Sequence, residues 1–159
     1  MVKNHPSLRW FAHWMHDNNL WHLNRYSASL AVFIGLFAAL IPLPSQMPIA
    51  LVLAIWWRAH VPISVALVWL TNPLTSPPIF YGTYKFGNFL LQREAHALNF
   101  EASLAWLGSE LGRIWAPLLV GSLTAGIVAG LIGAGAVRLA WRVQVGMRWS
   151  ARKKARANK

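Results

Sequence analysis

Two long apolar runs in this chain are each interrupted in the middle by prolines and small polar residues. The first interruption occupies 41–48 and reads IPLPSQMP, and the second occupies 71–78 and reads TNPLTSPP. Proline removes a backbone donor and clashes with the preceding turn, so neither run can form one uninterrupted helix. The pattern therefore predicts short helical arms between 27 and 91. Structural breaks are predicted at Pro42, Pro44, Pro48, Pro73, Pro77 and Pro78.

The lengths of these arms limit how they could cross a membrane. Residues 29–40 and 49–57 flank the first interruption, and each arm is shorter than the roughly 20 apolar residues that a transmembrane helix needs. The pair predicts either a re-entrant hairpin or two short, tilted spans, and both arrangements put Arg25 and Arg58 on one side. Residues 61–84, around the second interruption, are long enough to cross once with an irregular middle.

Residues 115–137 are predicted to form the one conventional transmembrane helix. Gly126, Gly130 and Gly133 give it a small-residue face, which fits either packing within the subunit or a homo-oligomer. The fold class predicted is an all-α integral membrane protein of a single domain. It divides into an interfacial amphipathic segment (1–26), paired proline-broken helices (27–91), an amphipathic connector (92–113), the transmembrane helix (114–141) and a basic tail (142–159).

Composition favours a membrane protein over a soluble one. Hydrophobic residues make up 56% of the chain and charged residues only 12%, against roughly 25% charged in a typical soluble protein. Much of the net charge of +11 lies in residues 142–159, beyond the last apolar run. That position predicts cytoplasmic termini and contact with the bilayer's anionic lipids, and it argues against nucleic-acid binding. The chain has no cysteine, which excludes disulfides and thiolate metal sites.

The two interruptions offer neutral hydrogen-bonding groups, fresh helix N-termini and nearby cations, but no carboxylate. Such a combination suits an anionic ligand, either a lipid headgroup or a solute. The candidate ligand-binding residues are Ser45, Gln46, Asn72, Thr75 and Tyr81, with Arg58 and Lys85 as counter-charges. The alternative is structural: Gln46 and Asn72 cap helix ends, and the two cations anchor the chain at the headgroups.

The acidic residues argue against catalysis. All four, Asp17, Glu94, Glu101 and Glu110, lie outside the apolar arms, so no acid–base pair is available there and we expect neither an enzyme nor a cofactor. His13, His16 and Asp17 follow helical spacing and could meet at a metal. An exposed polar face is the preferred interpretation of that spacing, and no metal site is predicted.

Short motifs along nearly the whole chain resemble those of a known family. They are LWHLNR at 20–25, GLF at 35–37, PLPSQM at 42–47, RAHVP at 58–62, NPLT at 72–75, PPIFY at 77–81, KFG at 85–87 and WAPLLVG at 115–121. In these motifs the chain resembles the bacterial membrane family called domain of unknown function 2062. The resemblance implies an inner-membrane location and brings no established activity. The crossings predicted above make the protein multi-pass. His60 departs from the usual asparagine of that family, and Ser45 from a common glycine.

Two functions remain open from the sequence. The first is a transporter-like or lipid-handling protein that binds an anionic lipid or solute where the two interruptions meet. The second is a non-catalytic scaffold or assembly factor that acts through the interfacial helix and the basic tail.

Overall fold

The computed structural model describes residues 18–93 and 104–157, with the side chains of 20–93, 114–150 and 153. This part of the chain is helical and contains no strand. Its helices are α1 (Asn18–Trp21), α2 (Arg25–Ala39), α3 (Gln46–Trp56), α4 (Val61–Val68), α5 (Ser76–Leu90) and α6 (Leu104–Ala157). The predicted all-α class is therefore confirmed.

Helices α2 and α3 form an antiparallel hairpin. A capping box starts α2: Asn24 Oδ1 accepts from the Ser27 N–H at 2.7 Å, and Ser27 Oγ accepts from the Asn24 N–H at 3.2 Å. The chain leaves the helix after Ala39 and resumes it at Gln46. At the other end of the hairpin, the His60 N–H donates to the Ser27 carbonyl at 3.2 Å, which returns the chain to the level at which α2 began.

Helix α4 runs parallel to α2 and packs closely on it. Ser64 Oγ donates to the Ala31 carbonyl at 3.3 Å, across 33 residues of sequence. Gly35 permits this approach, because a Cβ at that position would lie 2.6 Å from Leu67 Cβ and 2.8 Å from the Ser64 carbonyl oxygen. Helix α4 is only eight residues long, and α5 then continues in the same direction after residues 69–75.

Helix α6 runs antiparallel to both α2 and α5. Towards its middle, Gly126 faces Phe37 and Gly130 faces Phe33, so these glycines pack within the subunit. Nearer its N-terminus, Gly121 lies against the Thr83 carbonyl, and the Pro117 carbonyl lies against Gly87 of α5. A buried hydrogen bond of 3.0 Å joins Ser122 Oγ to Thr83 Oγ1 at the same level.

Small residues fill the interior, and large apolar residues lie on the outside. The core cluster consists of Ala31, Ile34, Ala38, Ala50, Ala54, Ala59 and Val68. In contrast, Trp56, Trp69 and Phe89 are 70%, 66% and 77% exposed. A soluble protein places its bulky apolar side chains in the core, so this distribution is the reverse of the soluble pattern.

Among the described residues, one helical segment is long and apolar enough to cross a membrane by length and composition. It is Ile114–Ser150 in α6. The helix continues without interruption from 104 to 157, so part of the predicted connector and most of the basic tail belong to it. Residues 1–17, which include the predicted interfacial helix and the His13, His16 and Asp17 cluster, lie outside the described residues, as do Glu94 and Glu101.

The predicted structural breaks fall into two groups. Pro42, Pro44 and Pro73 lie between helices, whereas Pro48, Pro77 and Pro78 lie in the first turns of α3 and α5. A proline in the first turn removes an N–H that has no partner within the helix. The second group therefore starts helices rather than interrupting them.

Candidate functional site

The two interruptions meet at a hydrogen-bonded junction formed by Gln46, Thr71 and the carbonyls of Ala39 and Ile41. Gln46 Nε2 donates to the Ala39 and Ile41 carbonyl oxygens at 3.2 and 2.6 Å. Thr71 Oγ1 lies 2.9 Å from the Ala39 oxygen and 3.0 Å from Gln46 Oε1. The carbonyls at the end of α2 have no partners within the helix, and the junction supplies those partners.

Asn72 and Thr75 close the second interruption by bonding to each other's backbone. Asn72 Oδ1 accepts from the N–H groups of Leu74 and Thr75 at 2.9 and 3.0 Å. Thr75 Oγ1 accepts from the Asn72 N–H at 3.0 Å and donates to the Leu70 carbonyl at 2.7 Å. This is the local turn chemistry that these residue types favour. The geometry fits the capping interpretation of Asn72.

The other predicted site residues lie outside the junction or make no bond in it. Ser45 is exposed at the N-terminus of α3, and its side chain makes no capping bond. Tyr81 is 50% exposed, and Lys85 Nζ lies 4.7 Å from the centroid of its ring, one turn apart on α5. Arg58 lies at the opposite end of α3 from Gln46.

Arg58 occupies an unusual backbone position. Its φ is 54°, in the left-handed region, directly after α3. The Ala59 N–H donates to the Ala54 carbonyl at 2.8 Å and the Arg58 N–H to the Ile55 carbonyl at 3.1 Å, which is a Schellman ending. Glycine is the usual residue at this position, so the chain keeps an arginine where its backbone is strained.

Cations converge at the end of the bundle opposite the junction. Arg25, Tyr26, Arg138 and Arg142 line a cavity of about 290 Å³, which we call the arginine pocket. Arg138 Nε donates to Ser29 Oγ at 3.0 Å, and Ser29 is fully buried in α2. This bond holds a long side chain of α6 in a fixed place beside α2. Three guanidinium groups at one cavity favour a carboxylate or phosphate group.

An apolar groove adjoins the arginine pocket. It has a volume of about 430 Å³, and its walls come from α2, α6 and the end of α3. The lining residues are Tyr26, Ser29, Leu30, Phe33, Trp57, Leu131, Ala134, Gly135 and Arg138. Two of them, Tyr26 and Arg138, also line the arginine pocket. The two cavities are therefore neighbours.

Sequence reasoning identified the arginines only as ends of apolar runs, and it missed the pocket. Arg25 begins α2, and Arg138 lies near the level at which α2 begins, on a helix 109 residues away in sequence from Ser29. The signal was nevertheless present. If Arg25, Arg58 and Arg138 all end apolar runs on one side, helices that pack together must bring them to the same end.

The described side chains at these sites include few acidic or metal-ligating groups. No group of three or more His, Cys, Asp or Glu side chains that could hold a metal occurs among the described residues. Within the same part of the chain, neither cavity is lined by a carboxylate. An anion bound at the arginines would therefore face no nearby acidic side chain from that lining.

Comparison with protein families gives a match over most of the chain. The model of a family described as an uncharacterized protein conserved in bacteria (DUF2062) matches residues 8–150. The chain belongs to this family. The match covers the arms, the junction and the arginine pocket of this DUF2062 protein. Neither the curated proteins nor the solved structures that were searched gave a match.

The resemblance implies an asparagine where His60 stands, and the structure gives this position a capping role. His60 is the N-cap of α4, and its Nδ1 accepts from the Ile63 N–H at 3.4 Å. Asparagine is among the best N-cap residues because its side-chain oxygen accepts the same bond. The histidine here performs the task for which asparagine is suited.

Proposed function

We propose that the protein is a multi-pass protein of the bacterial inner membrane. The reversed distribution of side chains supports this, because helices in lipid pack through small residues and expose large apolar ones. In α6, only 22% of the most apolar window is buried. A core helix of a soluble protein would be mostly buried, so lipid is the medium that suits this surface.

The helix lengths favour a re-entrant hairpin beside two full crossings. At a rise of about 1.5 Å per residue, α2 and α3 extend about 22 and 16 Å, short of the roughly 30 Å hydrocarbon layer. Helices α4 and α5 together, and α6 alone, are long enough to cross. Phe37, near the tip of the hairpin, packs on Gly126, which lies about 18 Å along α6 from Arg138. The hairpin thus reaches into the layer and returns.

The arginine end is proposed to face the cytoplasm. Arg25, Arg58, Arg138 and Arg142 all belong to this end, and arginine-rich ends stay on the cytoplasmic side. Since α2 leaves from this end and α6 returns to it, both termini are cytoplasmic. The basic C-terminal part of α6 then emerges from the inner leaflet, where anionic lipids attract it.

The function that the geometry supports best is binding of a phosphate-bearing or other anionic group in the arginine pocket, as part of lipid handling or transport. The observation that carries this proposal is the convergence of Arg25, Arg138 and Arg142 on one cavity. The proposed ligand site is therefore the arginine pocket and not the interruptions. At the interruptions, the polar groups of Gln46, Thr71, Asn72 and Thr75 are used in hydrogen bonds within the protein. The role is binding without catalysis.

The test is binding of anionic lipid by charge-neutralised variants. Purified wild-type protein and the double variant Arg138→Gln/Arg142→Gln are mixed with vesicles or nanodiscs of phosphatidylglycerol and phosphatidylcholine, and retained lipid is counted by native mass spectrometry. Loss of two charge-assisted contacts is expected to lower phosphatidylglycerol retention at least about tenfold. Arg148→Gln, which changes an exposed arginine of the same helix outside the pocket, is the matched control. Equal retention by all three proteins would refute the proposal.

The scaffold alternative is favoured by one separate observation. Beyond Arg138, helix α6 exposes Leu139, Val143 and Met147, which are 64%, 52% and 60% exposed and follow one another every four residues. Such a stripe is typical of a helix that docks to a partner. Replacing all three with serine would then abolish assembly with that partner and leave lipid retention intact. Lipid retention lost with assembly intact would support the first function alone.

A further inference from the structure

The arginine pocket opens beside an apolar groove, and this pairing bears on which anion the protein binds. The groove and the pocket share Tyr26 and Arg138. A free phosphate or a small organic anion would occupy the pocket and leave the groove empty. A molecule with a charged head and a hydrocarbon chain would occupy both.

The groove runs along one side of the contact between α2 and α6. Between Gly126 and Gly133, side chains of α2 fill the space over the glycines: a Cβ at Gly130 would lie 2.8 Å from Phe33 Cδ2, and one at Gly133 would lie 2.6 Å from Leu36 Cδ1. At Gly135 no atom of the described residues lies within 4 Å of such a Cβ. Gly135 is about 200° around the helix from Gly133, so it faces away from the close contact and borders open space.

Both walls of the open space are apolar. Leu30 and Phe33 of α2 face Leu131 and Ala134 of α6 across it, and Trp57 completes the lining from the end of α3. The volume of about 430 Å³ is within the range of small-molecule sites, which are mostly apolar with a few placed polar groups. An indole and a phenol at the mouth suit the depth where a headgroup meets its acyl chain.

Ser29 fixes the boundary between the two cavities. Its hydroxyl accepts from Arg138 Nε at 3.0 Å, so the terminal NH₂ groups of the guanidinium keep their donors for an anion. Ser29 is fully buried whereas Arg138 is exposed, so this part-buried bond places the guanidinium at the mouth of the groove.

We propose that the groove receives an acyl chain and that the ligand of the arginine pocket is the headgroup of an anionic lipid. This inference rests on the proposed function, since it assigns the chemical class of the ligand at that site. The charge complementarity of the pocket selects a phosphate-bearing headgroup, and the groove adds affinity for anions that carry a chain.

The experiment separates the head from the chain with two probes. Dioleoyl phosphatidylglycerol reports on both cavities, and water-soluble glycerol 3-phosphate reports on the pocket alone. Each is titrated into wild-type protein, Gly135→Leu and Gly146→Leu in a neutral detergent, with binding read by native mass spectrometry. Gly146 is the control, because it lies on the same helix, also faces open space and does not line the groove.

We expect Gly135→Leu to weaken phosphatidylglycerol binding at least tenfold and to leave glycerol 3-phosphate binding within twofold of the wild type. Leu131→Gln makes the groove wall polar at a 60% exposed position without filling the groove. It should also weaken phosphatidylglycerol binding, and it serves as a second test if the leucine at 135 disturbs α6. The control Gly146→Leu should bind both probes as the wild type does.

Failure of the acyl-chain proposal and failure of the proposed function would give different results. If both groove variants bind phosphatidylglycerol as the wild type does, or if glycerol 3-phosphate binds the wild type as tightly as the lipid, the groove holds no chain and the inference is wrong. If Arg138→Gln/Arg142→Gln binds both probes normally, the proposed function itself is wrong.

Discussion

Thr71 Oγ1 lies 3.0 Å from Gln46 Oε1, so two residues that are 25 positions apart join the two interruptions in one hydrogen-bonded junction. Both side chains also reach the Ala39 carbonyl. The end of α2, the start of α3 and the end of α4 are therefore held by the same few atoms. In lipid, backbone carbonyls freed by a helix end need such partners, because no water is available to supply them.

Removing the Gln46 side chain should destabilise the fold. Gln46→Ala leaves the Ala39 and Ile41 carbonyls without this donor, at an expected loss of about 1–3 kcal/mol. Thr71→Val should cost less, and a double-mutant cycle should give a coupling of about 0.5–3 kcal/mol between the two positions. The measurement is reversible unfolding in detergent or lipid.

Ser45→Ala is the control for this pair, because Ser45 is adjacent to Gln46 and makes no capping bond. Its stability should stay within about 0.5 kcal/mol of the wild type. Additive effects of the Gln46 and Thr71 changes would mean that the junction does not act as a unit.

Substitutions of Asn72 test the depth of the second interruption. Asn72→Asp keeps the oxygen that accepts from the N–H groups of Leu74 and Thr75, whereas Asn72→Ala removes both bonds. In water the aspartate would be tolerated. Within the hydrocarbon layer its charge should cost up to about 2.5–3.5 kcal/mol, so we expect Asn72→Asp to be at least as unstable as Asn72→Ala in bilayers. Wild-type stability of the aspartate variant would place this turn in water.

Gly87→Ala should separate α5 from α6. A Cβ at Gly87 would collide with the Pro117 carbonyl, and relief of such overpacking typically costs about 1–3 kcal/mol. Gly82 is on the same helix, and no atom of the described residues lies within 4 Å of the position that a Cβ would take there. Gly82→Ala should therefore stabilise α5 by about 0.5–1 kcal/mol. Thermal unfolding compares the two. A neutral Gly87→Ala would contradict the close approach of the helices.

Arg58→Gly should raise stability at the end of α3. A left-handed backbone costs a residue other than glycine about 1–2 kcal/mol, and Arg58 has a φ of 54°. Gln92, with a φ of 52°, ends α5 in the same way, which makes Gln92→Gly the matched variant. Both should unfold later than the wild type. A destabilised Arg58→Gly beside a stabilised Gln92→Gly would show that the arginine side chain contributes more than its backbone strain.

His60→Asn should preserve the cap of α4, and His60→Ala should lose about 0.5–2 kcal/mol. The reason is that the His60 Nδ1 accepts from the Ile63 N–H at 3.4 Å, a bond that asparagine can replace and alanine cannot. The free energy of unfolding in detergent compares the two variants. Equal stability of the alanine variant would indicate that the bond contributes nothing.

The sequence carried the local part of this structure well. The segments between helices at 40–45 and 69–75 contain Pro42, Pro44 and Pro73, while the other three prolines predicted as breaks lie in first helical turns. The turn from Asn72 to Thr75 uses residues whose side chains bond the neighbouring backbone. The small-residue face of Gly126, Gly130 and Gly133 was predicted from its spacing, and all three glycines lie against side chains of α2. All these features depend on residues close together along the chain.

The arginine pocket could not be read in the same way. The pocket joins Arg25 of α2 to Arg138 and Arg142 of α6. These residues meet only because α2 and α6 pack with a particular shift along their axes, which the contacts of Phe33 with Gly130 and of Phe37 with Gly126 set. A single sequence does not indicate how far one packed helix is shifted along another. The continuity of α6 through Ala157 was also missed, because the density of basic residues from 142 onward was interpreted as a separate tail, although Leu139, Val143 and Met147 follow helical spacing.

The small-residue interior has a consequence for how mutations act on this protein. In a soluble domain, truncating a bulky core residue is the damaging change and enlarging an alanine is a secondary concern. Here Ala31, Ala38, Ala50 and Ala54 are fully enclosed, so enlarging them should be the damaging change, while the outward tryptophans should tolerate replacement by other apolar residues. A saturation-mutagenesis map of this chain should therefore show intolerance to added volume inside and intolerance to added polarity outside.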